Sequence, residues 1–221
     1  MPYASNDSKL NPQDDVLAKT HLQKWLTGRK AIFRSETSLI LIRLHGFAAL
    51  VDAEDFNTAT RKLGGFDVAD LDGIPPLIGR LSELLSYDVR GTEREILQKS
   101  LHETLLYIAD LDADLPVEMF GVTFEKFLRQ RGSKGLLQLF LGLHLFNEVW
   151  IKLQQRLQTK ATDGDSFLAS MRWIEQCCLS AVDSAMKDMS RWPKLSRTLA
   201  ESLIHAIEFR ISNMMSRSSA A

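Results

Sequence analysis

The chain has 221 residues, of which 45% are hydrophobic and 25% are charged, and its formal net charge at pH 7 is −1. This composition is typical of a globular protein and excludes the disordered, fibrous and collagen-like classes. Because a net charge so close to zero gives no general attraction for nucleic acid, we expect no nucleic-acid partner.

The first thirteen residues are polar and contain two prolines, which predicts a flexible arm over residues 1–13 ahead of a single helical domain over 14–215. They have neither a basic start nor an apolar core, so they do not resemble a secretory signal peptide, and we expect a cytoplasmic location. A first helix is predicted from Asp14 or Asp15 to Thr27, because acidic residues favour a helix start and Gly28 favours a stop.

The next segment covers residues 35–65 and ends in the pair Gly64–Gly65, which is typical of a helix terminus. Residues 38–44, SLILIRL, are compatible with a helix or with a buried strand, because a short apolar run does not separate the two by periodicity. The alanines that follow, and the lack of a partner strand elsewhere, favour helix.

The middle of the chain contains three further predicted helices. Pro75 and Pro76 fit the first turn of one helix, and Thr92 with Glu95 forms a capping-box pattern at the start of the next. Residues 110–121 are predicted to be irregular, and a short helix is expected over 123–131.

The most informative segment is residues 133–158, whose first three turns are apolar on nearly every side. Such a helix needs cover all round, so we expect it at the centre of the domain. Gln138 and His144 interrupt its apolar run and Lys152 follows it, which makes the run too short and too polar for a membrane span.

Two helices complete the predicted fold, one capped by Asp165 and reaching residue 191, the other over 195–215 after Pro193. Residues 216–221 are expected to be a frayed tail. The sequence therefore predicts an all-α protein, a single-domain bundle of about seven or eight helices around a buried central helix.

The first candidate site lies on the central helix, where His144, Asn147 and Glu148 share a side with Phe140 and Ile151. A histidine in such surroundings could bind a ligand or act as a general base, with its pKa set by burial and by the carboxylate. The alternative is a core or interface histidine that is hydrogen-bonded to a neighbour.

The second candidate site is the basic start of the same helix, where Arg129, Arg131, Ser133 and Lys134 surround a helix N-terminus, which attracts anions. The spacing is not that of a P-loop. The alternative is that Gly132 ends one helix and Ser133 caps the next.

Histidine–glutamate pairs one turn apart, His144 with Glu148 and Glu201 with His205, suggest a four-ligand metal site inside a bundle. Helical projection argues against it, because Glu201 and His205 fall opposite the apolar stripe of their helix and should face water with Glu208. We therefore expect no metal.

Other charged clusters also depart from known patterns. The acidic positions Asp110, Asp112 and Asp114 imitate the opening of an EF-hand loop but lack its glycine and final glutamate. The basic cluster around Trp192 lacks any nucleic-acid-binding signature. Cys177 and Cys178 are neighbours with poor geometry for a disulfide, which indicates a reducing compartment.

No catalytic or cofactor pattern appears, so we expect no cofactor and favour a non-enzymatic interaction or regulatory protein that self-associates or binds a protein partner. Residues 1–122 carry a formal charge of −6 and residues 123–221 carry +5, an asymmetry that favours such pairing. The alternative is a helical small-molecule-binding protein or enzyme with a pocket beside His144, Asn147 and Glu148.

Overall fold

The computed structural model describes residues 12–27, 31–33, 35–109, 116–187 and 194–217. These residues form eight α-helices and no β-strand: α1 (Pro12–Thr27), α2 (Ser35–Ala53), α3 (Phe56–Gly64), α4 (Ile74–Leu85), α5 (Thr92–Ile108), α6 (Val117–Gln158), α7 (Gly164–Lys187) and α8 (Arg197–Arg217). A short 3-10 turn, Val68–Asp70, lies between α3 and α4. The all-α prediction is confirmed, and residues 38–44 are helical.

The central position of α6 is also confirmed, since it packs against α1, α2, α3, α4, α5 and α7. From Leu136 to Trp150 every residue is buried except Gln138, Leu139 and Phe146, which are partly buried. The apolar side chains on all faces of this segment are therefore covered by neighbouring helices, as the sequence predicts.

A bend divides α6 at Gly132, whose backbone angles of φ 64° and ψ 177° are not helical. Only glycine adopts this conformation without strain, because it has no Cβ. The predicted break between residues 131 and 133 is thus confirmed. The predicted start of the first segment at residue 123 is wrong, because the helix begins at Val117, directly after Pro116, and buries Phe120 in its first turn.

Residues 35–65 form two helices rather than one. Asp55 caps α3, since its side chain accepts a hydrogen bond from the Thr58 N–H at 2.8 Å. Gly65 ends α3 with φ 63°, and its N–H donates to the carbonyl of Arg61. The glycine pair therefore terminates a helix as predicted, while the break at Asp55 was not anticipated.

Two predicted helix caps differ in the structure. Thr92 is the first residue of α5, and Gly91 holds the N-cap position with φ 72°, so the capping box is wrong. For α7 the cap is Asp163, which accepts from the Ser166 N–H at 2.8 Å, because the helix begins before Asp165. The proline pair does lie in the first turn of α4.

The core is continuous. One part of it is built around four phenylalanines from α2, α3 and α6 whose neighbouring ring centroids lie 5.3–6.1 Å apart: Phe47, Phe56, Phe120 and Phe124. Edge-to-face and tilted contacts of this kind are favourable for aromatic pairs. On the opposite side of α6, Gly142 lets α7 approach closely: a Cβ at this position would lie 2.5 Å from a methyl group of Leu179.

Several sequence predictions fall outside the described residues, namely most of the arm over 1–13, the stop at Gly28, the acidic run over 110–115 and the tryptophan cluster over 188–193. At the two ends, α1 begins at Pro12 and α8 continues to Arg217, so residues 12, 13, 216 and 217 are helical.

Among the described residues, α6 is the one helix that is long and apolar enough to cross a membrane. Its most apolar window is 72% buried inside the molecule. A helix in the core of a globular protein meets the same criterion. The absence of a membrane span therefore stays a prediction.

Candidate functional site

His144 lies in the middle of α6 and is only 1% exposed. Its Nε2 atom is 3.1 Å from the hydroxyl of Thr37 on α2, and its Nδ1 atom is 3.3 Å from the hydroxyl of Ser100 on α5. The rings of Phe140 and Phe33 lie 5.5 Å from the imidazole, and Phe140 is stacked on it. The surroundings of His144 are thus packed core in which both ring nitrogens have a partner.

The hydrogen bonds around Ser100 indicate which nitrogen of His144 carries the proton. The hydroxyl of Ser100 donates its single hydrogen to the carbonyl of Ile96, at 2.7 Å. It can therefore only accept from His144, so Nδ1 is the protonated nitrogen. Nε2 is then the acceptor, and the hydroxyl of Thr37 donates to it.

Burial also determines the charge of His144. Removal from water lowers the pKa of this imidazole to about 3, because the charged form is disfavoured in the apolar interior. The side chain is therefore neutral near pH 7. A general base works best with a pKa near the operating pH, so His144 is poorly suited to that role.

Asn147 extends the polar network towards the surface. Its side-chain amide donates to the hydroxyl of Ser100 at 3.1 Å and to a carboxylate oxygen of Glu103 at 2.6 Å. Glu103 is 31% exposed and faces Lys99 at 3.8 Å. Glu148, also predicted as a ligand-binding residue, is 3% exposed and belongs to the buried part of α6.

Ser100 and Glu103 were missed at the sequence level, although they are one turn apart on α5 beside its buried leucines. The spacing of Ser100 and Glu103 could have predicted a strip of polar side chains along α5. That this strip faces α6 could not be read from the sequence, because it depends on how the two helices pack.

The predicted anion-binding residues do not all come together. Arg131 and Lys134 line a cleft of about 550 Å³ between α5, α6 and α7, while Ser133 is not among its lining residues. Arg129 lies outside this cleft. Its guanidinium is 3.8 Å from the carboxylate of Glu125, and it lines a separate hollow with residues of α2.

The rest of this cleft comes from three helices: Tyr107 of α5, Gly135, Gln138 and Leu139 of α6, and Leu179, Ser180 and Asp183 of α7. Asp183, the one acidic residue among the described lining residues, is paired with Lys187 at 2.6 Å and accepts a hydrogen bond from Gln138 at 3.0 Å. Arg131 and Lys134 are the two basic residues among the described lining residues.

The helical projection predicted the positions of the polar side chains of α8 only in part. Glu201 pairs with Arg197 at 2.9 Å, and the side chain of His205 is 77% exposed, so neither lies near His144 in the core. Glu208 was predicted to face water, and this is wrong. Its carboxylate accepts hydrogen bonds from the backbone N–H groups of Ile32 and Phe33, at 2.6 and 2.9 Å, because the link between α1 and α2 presents these groups to α8.

One side of α2 is apolar and incompletely covered. We call it the α2 outer face; it comprises Leu39, Ile42, Gly46, Ala49 and Ala53. Its last three residues are exposed and its first two are partly buried. The neighbouring Arg43 is directed sideways, since its guanidinium contacts the Leu85 carbonyl, the carboxylate of Asp88 at 2.6 Å and the exposed ring of Tyr87.

The cysteines and the acidic groups offer little for catalysis. Cys177 and Cys178 are buried free thiols, and burial raises the pKa of Cys178 well above its usual value, which keeps it protonated. Within the described ranges, no group of three or more histidine, cysteine, aspartate or glutamate residues is placed to hold a metal ion.

No protein-family model, curated protein or solved structure matches the chain.

Proposed function

We propose that the protein is a non-enzymatic, cytoplasmic interaction protein that self-associates through the α2 outer face. The observation that carries this proposal is an apolar helix face that the rest of the molecule leaves partly uncovered. Exposed apolar surface that is continuous along one element is typical of contact sites between proteins.

The spacing of the α2 outer face supports pairing with another helix. Positions 39, 42, 46, 49 and 53 follow alternating steps of three and four residues, the pattern by which helices pack side by side. A Cβ placed on Gly46 would meet nothing within 4 Å, so the centre of the face is open. Small residues at this centre allow a second helix to approach closely.

A second copy of the same helix fits this face. In an antiparallel pair related by a two-fold axis at Gly46, Leu39 of each copy lies opposite Ala53 of the other. A hollow of about 150 Å³, lined by Leu39, Ile42 and Arg197 among others, lies at one end of the face and can receive a side chain of the partner. Arg197 then lies near the acidic end of the partner's α2, which carries Asp52.

The core position of His144 supports the non-enzymatic part of the proposal over a pocket beside His144, Asn147 and Glu148. Both ring nitrogens already have protein partners, and the ring is neutral near pH 7. The buried free thiols support a reducing compartment such as the cytoplasm.

Sedimentation velocity over 1–100 μM tests the proposal. We expect the wild-type chain to form dimers in this range, and Ala49→Glu to raise the dimer dissociation constant by at least about tenfold, since a larger, charged side chain would be placed in a contact made of small apolar residues. Ala49 is exposed, so the variant should keep its helix content and unfolding midpoint.

Gln176→Glu is the matched control, because it adds the same charge at an exposed position of α7. It should leave the dissociation constant within about twofold of the wild type, a difference of less than about 0.5 kcal/mol. A wild-type chain that remains monomeric at 100 μM, or an Ala49→Glu variant that dimerises as well as the control, would contradict the proposal.

A further inference from the structure

We infer that the cleft at the bend of α6 binds a small phosphorylated organic molecule. The cleft volume of about 550 Å³ lies in the range of ligand sites, about 300–1,000 Å³. This inference is independent of self-association, because the cleft is formed by α5, α6 and α7, whereas the proposed dimer contact lies on α2.

The charges in the cleft favour an anion. Arg131 and Lys134 lie on either side of the bend at Gly132, and both line the cleft. Arg131 is exposed and makes no ion pair with any described residue; its guanidinium lies 5.8 Å from the ring of Phe127. The planar guanidinium group can therefore offer paired N–H donors to phosphate oxygens, with the lysine as a second cation.

Among the described lining residues one is acidic, and it is already paired within the protein. Asp183 is held by Lys187 and by the side-chain amide of Gln138, so its negative charge is satisfied within the protein. The bend at Gly132 also begins a new helical segment whose first turn, through Lys134 and Gly135, lines the cleft.

The remaining walls indicate an organic ligand rather than a bare ion. Leu139 and Leu179 are partly buried apolar side chains, and Tyr107 contributes an aromatic ring. Inorganic phosphate would leave these walls without a contact. A ligand with one phosphate group and an apolar or aromatic body uses both the charged and the apolar parts of the cleft.

Phenyl phosphate is a suitable probe, with inorganic phosphate and benzyl alcohol as partial analogues. Titrations followed by amide NMR shifts of the full chain should show phenyl phosphate binding at least about tenfold more tightly than either analogue, with the largest shifts at residues 131–139 and 179–183. Equal affinity for phenyl phosphate and inorganic phosphate would show that the apolar side chains of the cleft do not contribute to binding, and it would overturn the inference of an organic ligand.

Arg131→Gln should weaken phenyl phosphate binding by about tenfold, since one charge-assisted contact is lost. Arg129→Gln is the matched control: it removes the same charge from the same helix but lies outside the cleft, and it should change the affinity less than about twofold. Equal losses in the two variants would show attraction to general surface charge and would overturn the inference.

Ser180→Phe fills the cleft without changing its charge. Ser180 is exposed, so the fold should persist, as circular dichroism can check. We expect this variant to lose phenyl phosphate binding. Unchanged binding in Ser180→Phe would place the ligand outside the cleft and overturn the inference. No binding of phenyl phosphate to the wild-type chain at 10 mM would overturn it as well.

Discussion

At the scale of single residues, His144 shows how burial decides chemistry. The sequence placed this histidine beside Phe140 on an apolar helix, and the structure agrees with that placement. Its hydrogen-bond partners, Thr37 and Ser100, are 107 and 44 positions away in the sequence. Because contacts of this range depend on helix packing, periodicity along one helix could not identify them.

The lowered pKa of His144 predicts a pH effect on stability. Its unfolded-state pKa is 6.5 and its folded-state pKa is about 3, so between these values the unfolded chain binds the extra proton. The contribution of neutral His144 to the free energy of unfolding is complete above pH 6.5. It decreases by about 1.4 kcal/mol per pH unit as pH falls towards 3.

His144→Leu removes this titration and isolates it from other groups. Urea unfolding of both proteins between pH 7 and pH 4 should show the stability advantage of the wild type shrinking as pH falls. The hydroxyl of Thr37 loses its partner in the variant, which should cost about 1 kcal/mol or more at pH 7. A difference between the two proteins that does not change with pH would contradict the neutral, buried state of His144.

At the scale of elements, the break in α6 at Gly132 could be predicted from the sequence, whereas the residue at which α6 begins could not. Gly132, directly before Ser133, predicted a break, which the positive φ explains. The stretch before residue 123 looked irregular because Pro116 and Gly121 are poor helix residues. Packing of Phe120 against Phe56 outweighs this weak propensity, which is why the helix begins at Val117.

Replacement of Gly132 tests the strain argument. Gly132→Ala should destabilise the protein by about 1–3 kcal/mol, because a Cβ is poorly tolerated at φ 64° and ψ 177°. The matched control is Gly79→Ala in the middle of α4, where a Cβ would meet nothing within 4 Å. The control should be stabilised by up to about 1 kcal/mol. Equal unfolding midpoints in urea would argue against a strained bend.

At the scale of the whole molecule, the Glu208 side chain joins the last helix to the segment between α1 and α2. Its carboxylate on the last helix binds the backbone of Ile32 and Phe33, both of which are 4% exposed. Phe33 in turn contacts the imidazole of His144. Helical projection placed Glu208 on the solvent side because it considers one helix alone, and it takes no account of backbone donors from a distant link.

Glu208→Ala should destabilise the protein by about 2–3 kcal/mol, because two buried N–H groups lose a charged acceptor. Glu208→Gln keeps an acceptor and should cost about 1 kcal/mol. Glu201→Ala is the control, since its exposed pair with Arg197 contributes less than about 0.5 kcal/mol. Chemical unfolding at pH 7 measures all three, and a Glu208→Ala variant as stable as the control would refute the proposed role of this carboxylate.

The same contact has a consequence for how the chain is made. The bond between Glu208 and Ile32 joins residues 176 positions apart, so it forms only after residue 208 has left the ribosome. Earlier helices can pair while synthesis continues, but contacts of such long sequence separation form slowly. Until α8 is in place, the sides of α1, α2 and α7 that pack against it therefore stay uncovered.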